Sequence, residues 1–164
     1  MALLRPDLYY SSVHAIDLDA LAQEGVNVLL IDLDNTLLPR DTNEITEEHH
    51  SWARAAAEKG FGVCLVSNNW HERVQTVADE LEFAIVSKAV KPLPFAFFKA
   101  LKKMGAKRSE AAMIGDQVFT DILGGNLLQM RTILVEPLSQ TDLPHTLLLR
   151  RMEGVLLAGR KPLA

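Results

Sequence analysis

Short apolar runs alternate with longer helical patterns along this chain, and that alternation constrains the fold more than any other feature. Apolar runs without a polar residue at every second position belong to strands buried on both faces, as in a parallel sheet whose connections are helices. Five strands are predicted: Val26 to Ile31, Phe61 to Val66, Phe83 to Ser87, Ala111 to Ile114 and Thr132 to Val135. Four helices fill the intervals. The first runs from about Glu47 to Lys59, with Thr46 as N-cap and Gly60 as its stop. The second covers His71 to Leu81, with Asn68 or Asn69 available as cap. The third follows Pro92 and Pro94 and closes at Met104 before Gly105, proline in and glycine out. The fourth runs from Thr120 to Met130 and is weakened by Gly124 and Gly125. The expected architecture is α/β, with helices on both faces of a central parallel sheet in a three-layer, Rossmann-like arrangement.

With 164 residues, 48% of them hydrophobic, the chain can build one sizeable core. No repeat, low-complexity stretch or Gly/Ser-rich linker divides it, so a single domain over 1–164 is expected. Two flanks lie outside the alternation: residues 1–25, with a short helix near Asp17 to Glu24, and a leucine-rich tail over 141–164. A net charge of -4 provides no global basic surface, so no nucleic-acid partner is expected. The one cysteine, Cys64, sits in an apolar run and reads as a buried, unreactive thiol. Arg5 and Pro6 interrupt the N-terminal apolar stretch too early for a signal-peptide core, and no run approaches the roughly 20 apolar residues of a membrane span. A cytoplasmic protein is the simplest expectation.

The chemistry concentrates in Leu29-Leu-Ile-Asp-Leu-Asp-Asn-Thr-Leu37, where an apolar strand runs directly into Asp32 and Asp34. Side chains two apart on an extended chain point the same way. Ligands of parallel α/β sheets bind at the carboxyl ends of the strands, where this pair stands. Two close carboxylates repel each other, and a cation or a shared proton must offset that repulsion. Magnesium suits the pair, since it takes hard oxygen ligands and also binds substrate phosphate.

Asp32-Leu-Asp-Asn-Thr36 resembles the first motif of haloacid dehalogenase (HAD) superfamily phosphatases. Three further segments follow in that family's order: Ser67-Asn-Asn69 at a strand end, Lys91-Pro92 at a helix start, and Gly115-Asp-Gln-Val-Phe-Thr-Asp121 after another strand. The resemblance covers residues 26–136. It implies an Mg²⁺-dependent phosphatase that hydrolyses a phosphate monoester through an aspartyl-phosphate. Asp32 would be nucleophile and metal ligand, Asp34 the acid/base that also binds metal through its carbonyl, and Asp116 the third ligand. Asp121 would lie behind them, orienting a metal-bound water or Lys91. Lys91 would neutralise the nucleophile and phosphoryl charge, while Ser67 and the amides near Asn68 would bind phosphoryl oxygens. Thr36 joins that phosphate-binding set and would help fix Asp34.

Only Leu38 to Ile45 and Lys88 to Pro92 stand where family members insert a cap, so no large cap is expected. The compact plan and the opening Leu-Arg-Pro-Asp resemble the YqeG-type branch of subclass III, which is related to phosphatidylglycerophosphate phosphatases. The implied substrate is a small phosphorylated metabolite or a lipid phosphate. Two other readings compete. A signalling receiver domain also uses Asp, Lys and Mg²⁺, but its acceptor ends the third strand, whereas Asp32 ends the first complete strand expected here. The other is a slow, metal-binding regulatory partner that retains the site.

Several weaker signals have ordinary explanations. His49 and His50 read as surface positions in a helical first turn. His71 either caps its helix or touches substrate, and Lys88 competes with Lys91 for the functional lysine. The basic, leucine-rich tail from His145 to Ala164 either covers the core, packs a dimer or makes peripheral membrane contact.

Overall fold

The computed structural model describes residues 2–42, 44–69, 72–139, 159 and 161–163. Six parallel strands form one sheet in the order β1-β6-β5-β2-β3-β4. The strands are β1 (Leu8–Tyr10), β2 (Val28–Ile31), β3 (Gly62–Val66), β4 (Ala84–Val86), β5 (Ala111–Gly115) and β6 (Arg131–Val135). Among the described residues the α-helices are α1 (Leu18–Gln23), α2 (Glu47–Glu58), α3 (Glu72–Glu80), α4 (Pro94–Met104) and α5 (Leu123–Leu127). From β2 the chain steps to β3 and β4, then crosses back to β5 and β6 on the other side of β2. That reversal opens a crevice at the carboxyl ends of β2 and β5.

Alternation along each strand builds both outer layers. Leu29, Ile31, Val63, Leu65, Ala112 and Ile114 pack with Leu21 of α1, Trp52 and Ala56 of α2, and Val74 and Val77 of α3. Their neighbours Val28, Leu30, Cys64, Val66, Ala111 and Met113 face Phe97, Ala100 and Leu101 of α4. The expected three-layer α/β/α arrangement with a parallel sheet is therefore present. Burial pushes the Cys64 thiol up to about 11, so it stays protonated among its apolar neighbours.

Two details differ from the sequence reading. A sixth strand, β1, pairs with β6 at the sheet edge; three residues are too few to display a period. Asp32 accordingly follows the second strand of the chain. The expected fourth helix opens with a π-helical turn over Val118–Ile122 and gives only five α-helical residues. Its glycines permit close packing: a Cβ on Gly124 would stand 2.5 Å from the Phe97 ring, and one on Gly125 would stand 2.6 Å from Thr132 Cγ2. The tail over 141–164 lies outside the described residues apart from its last few. Of these, Leu163 bridges β1, donating its N–H to the Tyr9 carbonyl at 2.7 Å.

Candidate active site

β2 delivers Asp32 to the crevice and β5 holds it there, since the Asp32 N–H donates to the Ile114 carbonyl at 2.9 Å. The chain then turns tightly, with the amides of Leu37 and Leu38 donating to the Leu33 carbonyl at 3.0 and 3.1 Å. Asn35 takes the left-handed conformation this turn needs, at φ 60°, which asparagine tolerates better than most residues. Its Oδ1 accepts from the Arg40 amide at 3.1 Å and the Ser139 hydroxyl at 2.7 Å, fixing the loop's exit.

Lys91 is buried at the centre. Its Nζ lies 2.7 Å from Asp32 Oδ1 and 2.8 Å from Asp121 Oδ1. Asn68 clamps the Lys91 backbone, its Oδ1 accepting from the amide at 2.7 Å and its Nδ2 donating to the carbonyl at 3.5 Å. The Asn68 side chain therefore positions the lysine. Ser67 is buried at the end of β3, and its Oγ accepts from the Asn69 amide at 3.1 Å. Lys88 is exposed, and Lys91 is the lysine that the geometry brings to Asp32 and Asp121.

Asp116 and Asp121 complete the acidic floor. Oxygens of Asp32, Asp116 and Asp121 lie within 4.8 Å of one another, and all three residues are buried. Thr36 donates its hydroxyl to Asp116 Oδ1 at 3.0 Å, so this side chain fixes Asp116 and not Asp34. Asp121 sits in the π-turn, a feature frequent at functional sites. Its Oδ2 accepts from the Gln117 amide at 3.2 Å. A Cβ on Gly115 would fall 2.2 Å from Asp121 Cγ, so only glycine lets this carboxylate reach the lysine.

Asp34 is held apart from that trio. One carboxylate oxygen accepts from Asn69 Nδ2 and the other from Arg73 Nη1. The same guanidinium donates from Nη2 to the carbonyls of Pro39 and Thr42 at 2.7 and 2.8 Å, tying α3 to the loop beyond Asp34. Neither Asn69 nor Arg73 was marked by sequence as a site residue. The Ser67-Asn-Asn69 segment could have pointed to Asn69, but no spacing signals Arg73, which reaches Asp34 only through the packing of α3. His49 is also corrected: it is buried, with Nε2 3.0 Å from the Leu37 carbonyl and Nδ1 accepting from the Thr46 amide at 3.0 Å. It pins α2 to the turn after Asp32. His50 remains at the surface near Glu80, and His71 lies outside the described residues.

The cluster is short of positive charge. Burial lifts the Asp32 carboxyl to about 6; Lys91 opposes the rise only in part, and Asp121 and Asp34 add to it. Asp121 is raised by burial as well, with Asp116 adding and Lys91 opposing. Burial works against the charge on Lys91, yet Asp121 and Asp32 outweigh it and hold the ammonium protonated. Three buried carboxylates around one ammonium form a hard, oxygen-rich donor set that fits a divalent cation.

A family model for haloacid dehalogenase-like hydrolases matches residues 15–128. A protein named as the probable phosphatase YqeG, from Bacillus subtilis (strain 168), is 35% identical over 156 residues, which span 95% of this chain and 91% of that one. Phosphatidylglycerophosphate phosphatase 1, chloroplastic/mitochondrial, of Arabidopsis thaliana is 30% identical over 162 residues, 93% of this chain but 47% of that protein. The crystal structure of an uncharacterized protein from Listeria monocytogenes serotype 4b shares the fold at a TM-score of 0.56 and 18% identity, over 73% of this chain and 85% of that one. With the sheet, the ordered motifs and the buried acid cluster in agreement, the chain belongs to the haloacid dehalogenase-like hydrolases, on their phosphatase branch.

Proposed function

We propose that this enzyme hydrolyses a phosphate monoester in two steps through an aspartyl-phosphate on Asp32. The observation that carries the reading is the buried Asp32–Lys91–Asp121 chain beside Asp116, at the sheet's switch point. In the first step an Asp32 oxygen attacks phosphorus, the bond from phosphorus to the ester oxygen breaks, and the leaving oxygen takes a proton from Asp34. In the second, water attacks the phosphorus of the aspartyl-phosphate, Asp34 accepts its proton, and inorganic phosphate departs with Asp32 restored. Each Asp34 oxygen accepts one donor in the resting arrangement, from Asn69 and from Arg73, which leaves each oxygen a further site for the proton in transit. Lys91 balances charge on the nucleophile and the transferring group, while Ser67 and the amides near Asn68 hold phosphoryl oxygens.

Asp32, Asp116 and the Asp34 carbonyl are the ligands we assign to Mg²⁺, which when bound supplies charge neutralisation and orients the phosphoryl group. Asp121 stands behind them, since one of its oxygens meets Lys91 and the other the Gln117 amide. We read the chain as one cap-less cytoplasmic domain. Among the described residues, no helix or strand interrupts the segments 32–46 and 87–93 where a cap would insert. The substrate is a small phosphorylated metabolite or a lipid phosphate; identity with the Arabidopsis thaliana protein supports keeping the lipid in view. A panel of phosphorylated metabolites and lipid phosphates, assayed with and without Mg²⁺, tests the proposal. Absence of turnover on every ester would leave the slow regulatory partner as the better reading.

A further inference from the structure

Charge is distributed very unevenly along the chain. Between Ser87 and Ser109 lie seven of its 17 basic residues and none of its 21 acidic ones. Lys91 is the buried lysine of the site, whereas Lys88, Lys99, Lys102, Lys103, Lys107 and Arg108 are exposed. The same segment carries the two most exposed large apolar side chains described, Phe95 at 76% and Val90 at 60%, with Phe98 at 50% and Leu93 at 49% beside them. Phe95, Phe98, Lys99 and Lys102 follow the i, i+3, i+4, i+7 spacing, so they form one outward stripe of α4, opposite the buried Phe97, Ala100 and Leu101. Helix surfaces of soluble proteins do not ordinarily place two phenylalanines in water without a partner.

We propose that this stripe of α4 and the loop before it form a docking surface for an anionic lipid bilayer. Val90, Leu93, Phe95 and Phe98 enter the headgroup boundary, and Lys99 and Lys102 meet lipid phosphates. Charge complementarity selects this occupant. Apolar and aromatic side chains flanked by lysines match an interface that is apolar below and negatively charged at its rim. A second copy of the chain would set two strongly cationic faces against each other. Single-stranded nucleic acid would find stacking faces at the phenylalanines but none at Val90 and Leu93. A groove of about 240 Å³ beside the stripe, lined by Ser87, Lys88, Val90, Leu93, Phe95 and Lys99 among others, gives the headgroup region somewhere to settle. Val90 and Leu93 bracket Lys91 in sequence, so the docked face borders the active site.

The test is flotation of the full chain with vesicles of phosphatidylcholine alone and of phosphatidylcholine mixed with phosphatidylserine. The chain should float only with the anionic vesicles, and less as salt rises. Phe95→Ser/Phe98→Ser and Lys99→Glu/Lys102→Glu should each weaken that partition about tenfold or more. Neither pair should change the melting temperature appreciably or the turnover of a water-soluble ester. The idea is overturned if the wild type ignores anionic vesicles, or if both double variants float as well as it does. It is equally overturned if the substitutions abolish self-association or RNA binding in place of vesicle binding. Flotation requires no catalysis, so this proposal and the phosphatase reading can fail separately.

Discussion

Adding one methyl group at Gly115 should damage this protein more than most core substitutions. A Cβ there would stand 2.2 Å from Cγ and Oδ2 of Asp121 and 2.4 Å from its Cβ. Ordinary carbon contacts begin near 3.5 Å, so something must move by about 1 Å or more. The strand cannot easily do so, because Gly115 is registered against Leu134 inside the β5–β6 pairing. Asp121 must yield instead, and it is fully buried with its Oδ1 2.8 Å from Lys91 Nζ. Overpacking costs about 1–3 kcal/mol, and weakening a charge-assisted contact adds about 1.5 kcal/mol or more. Gly115→Ala should thus cost about 3 kcal/mol, or roughly 6–12 °C in melting temperature for a chain of this size. The assay is thermal and urea unfolding in chelator, run as a cycle with Asp121→Gly, which removes the three atoms nearest the added methyl. In the Asp121→Gly background the alanine should cost less than about 1 kcal/mol. An equal cost in both backgrounds would refute the steric argument.

Asp32→Asn should abolish phosphate-ester turnover while the fold melts normally. Asp34→Asn should also cripple turnover, but with an activated ester its aspartyl-phosphate should persist, visible by mass spectrometry after acid quench; breakdown at the wild-type rate would remove Asp34 as the base. Mg²⁺ should raise the melting temperature, by about 2.7 kcal/mol of stability at a hundredfold over its dissociation constant, and Asp116→Ala should remove most of that gain. The gain should depend on pH. The Asp32 carboxyl is raised from 3.8 to about 6, so metal-free stability from this group is greatest below about 4 and falls as pH rises through about 6, whereas Mg²⁺ binds the ionised form. The Mg²⁺ increment should therefore shrink on acidification below about 6, and a pH-independent increment would count against Asp32 as a ligand. Arg73→Met should lower kcat more than it raises KM, because it releases the Asp34 carboxylate that the guanidinium holds; an unchanged kcat would show that Arg73 only braces the loop.

The sheet was legible because β2, β3 and β5 are buried on both faces and read as unbroken apolar runs ending in Asp32, Ser67 and Asp116. Lys91 was legible through the proline beside it. Other features depend on three-dimensional closeness that no local pattern records. Arg73 meets Asp34 from 39 residues away, across a helix docking that the α3 sequence does not encode locally. His49 looked like a first-turn surface residue because its burial comes from the turn after Asp32 folding over it. Gly115 and Gly124 read as a motif letter and a weak helix position; each is required by a contact from a distant or folded-back side chain. The π-turn that aims Asp121 has no propensity signature, and β1 is too brief to show alternation.

The pairing of β2 with β5 at the centre of the sheet also makes the site an all-or-none reporter of folding. Thr36 and Asp116 stand 80 residues apart in sequence, and Asp32 and Lys91 stand 59 apart. Closing loops of that length carries an entropic cost, met only once the strands register, so no isolated fragment holds the acids together. A molecule that holds a divalent metal on these acids would then be one in which β2 and β5 have docked. Contacts completed that late slow unfolding and leave the refolding rate nearly untouched. Metal would thus lengthen the lifetime of the native state without hastening its arrival.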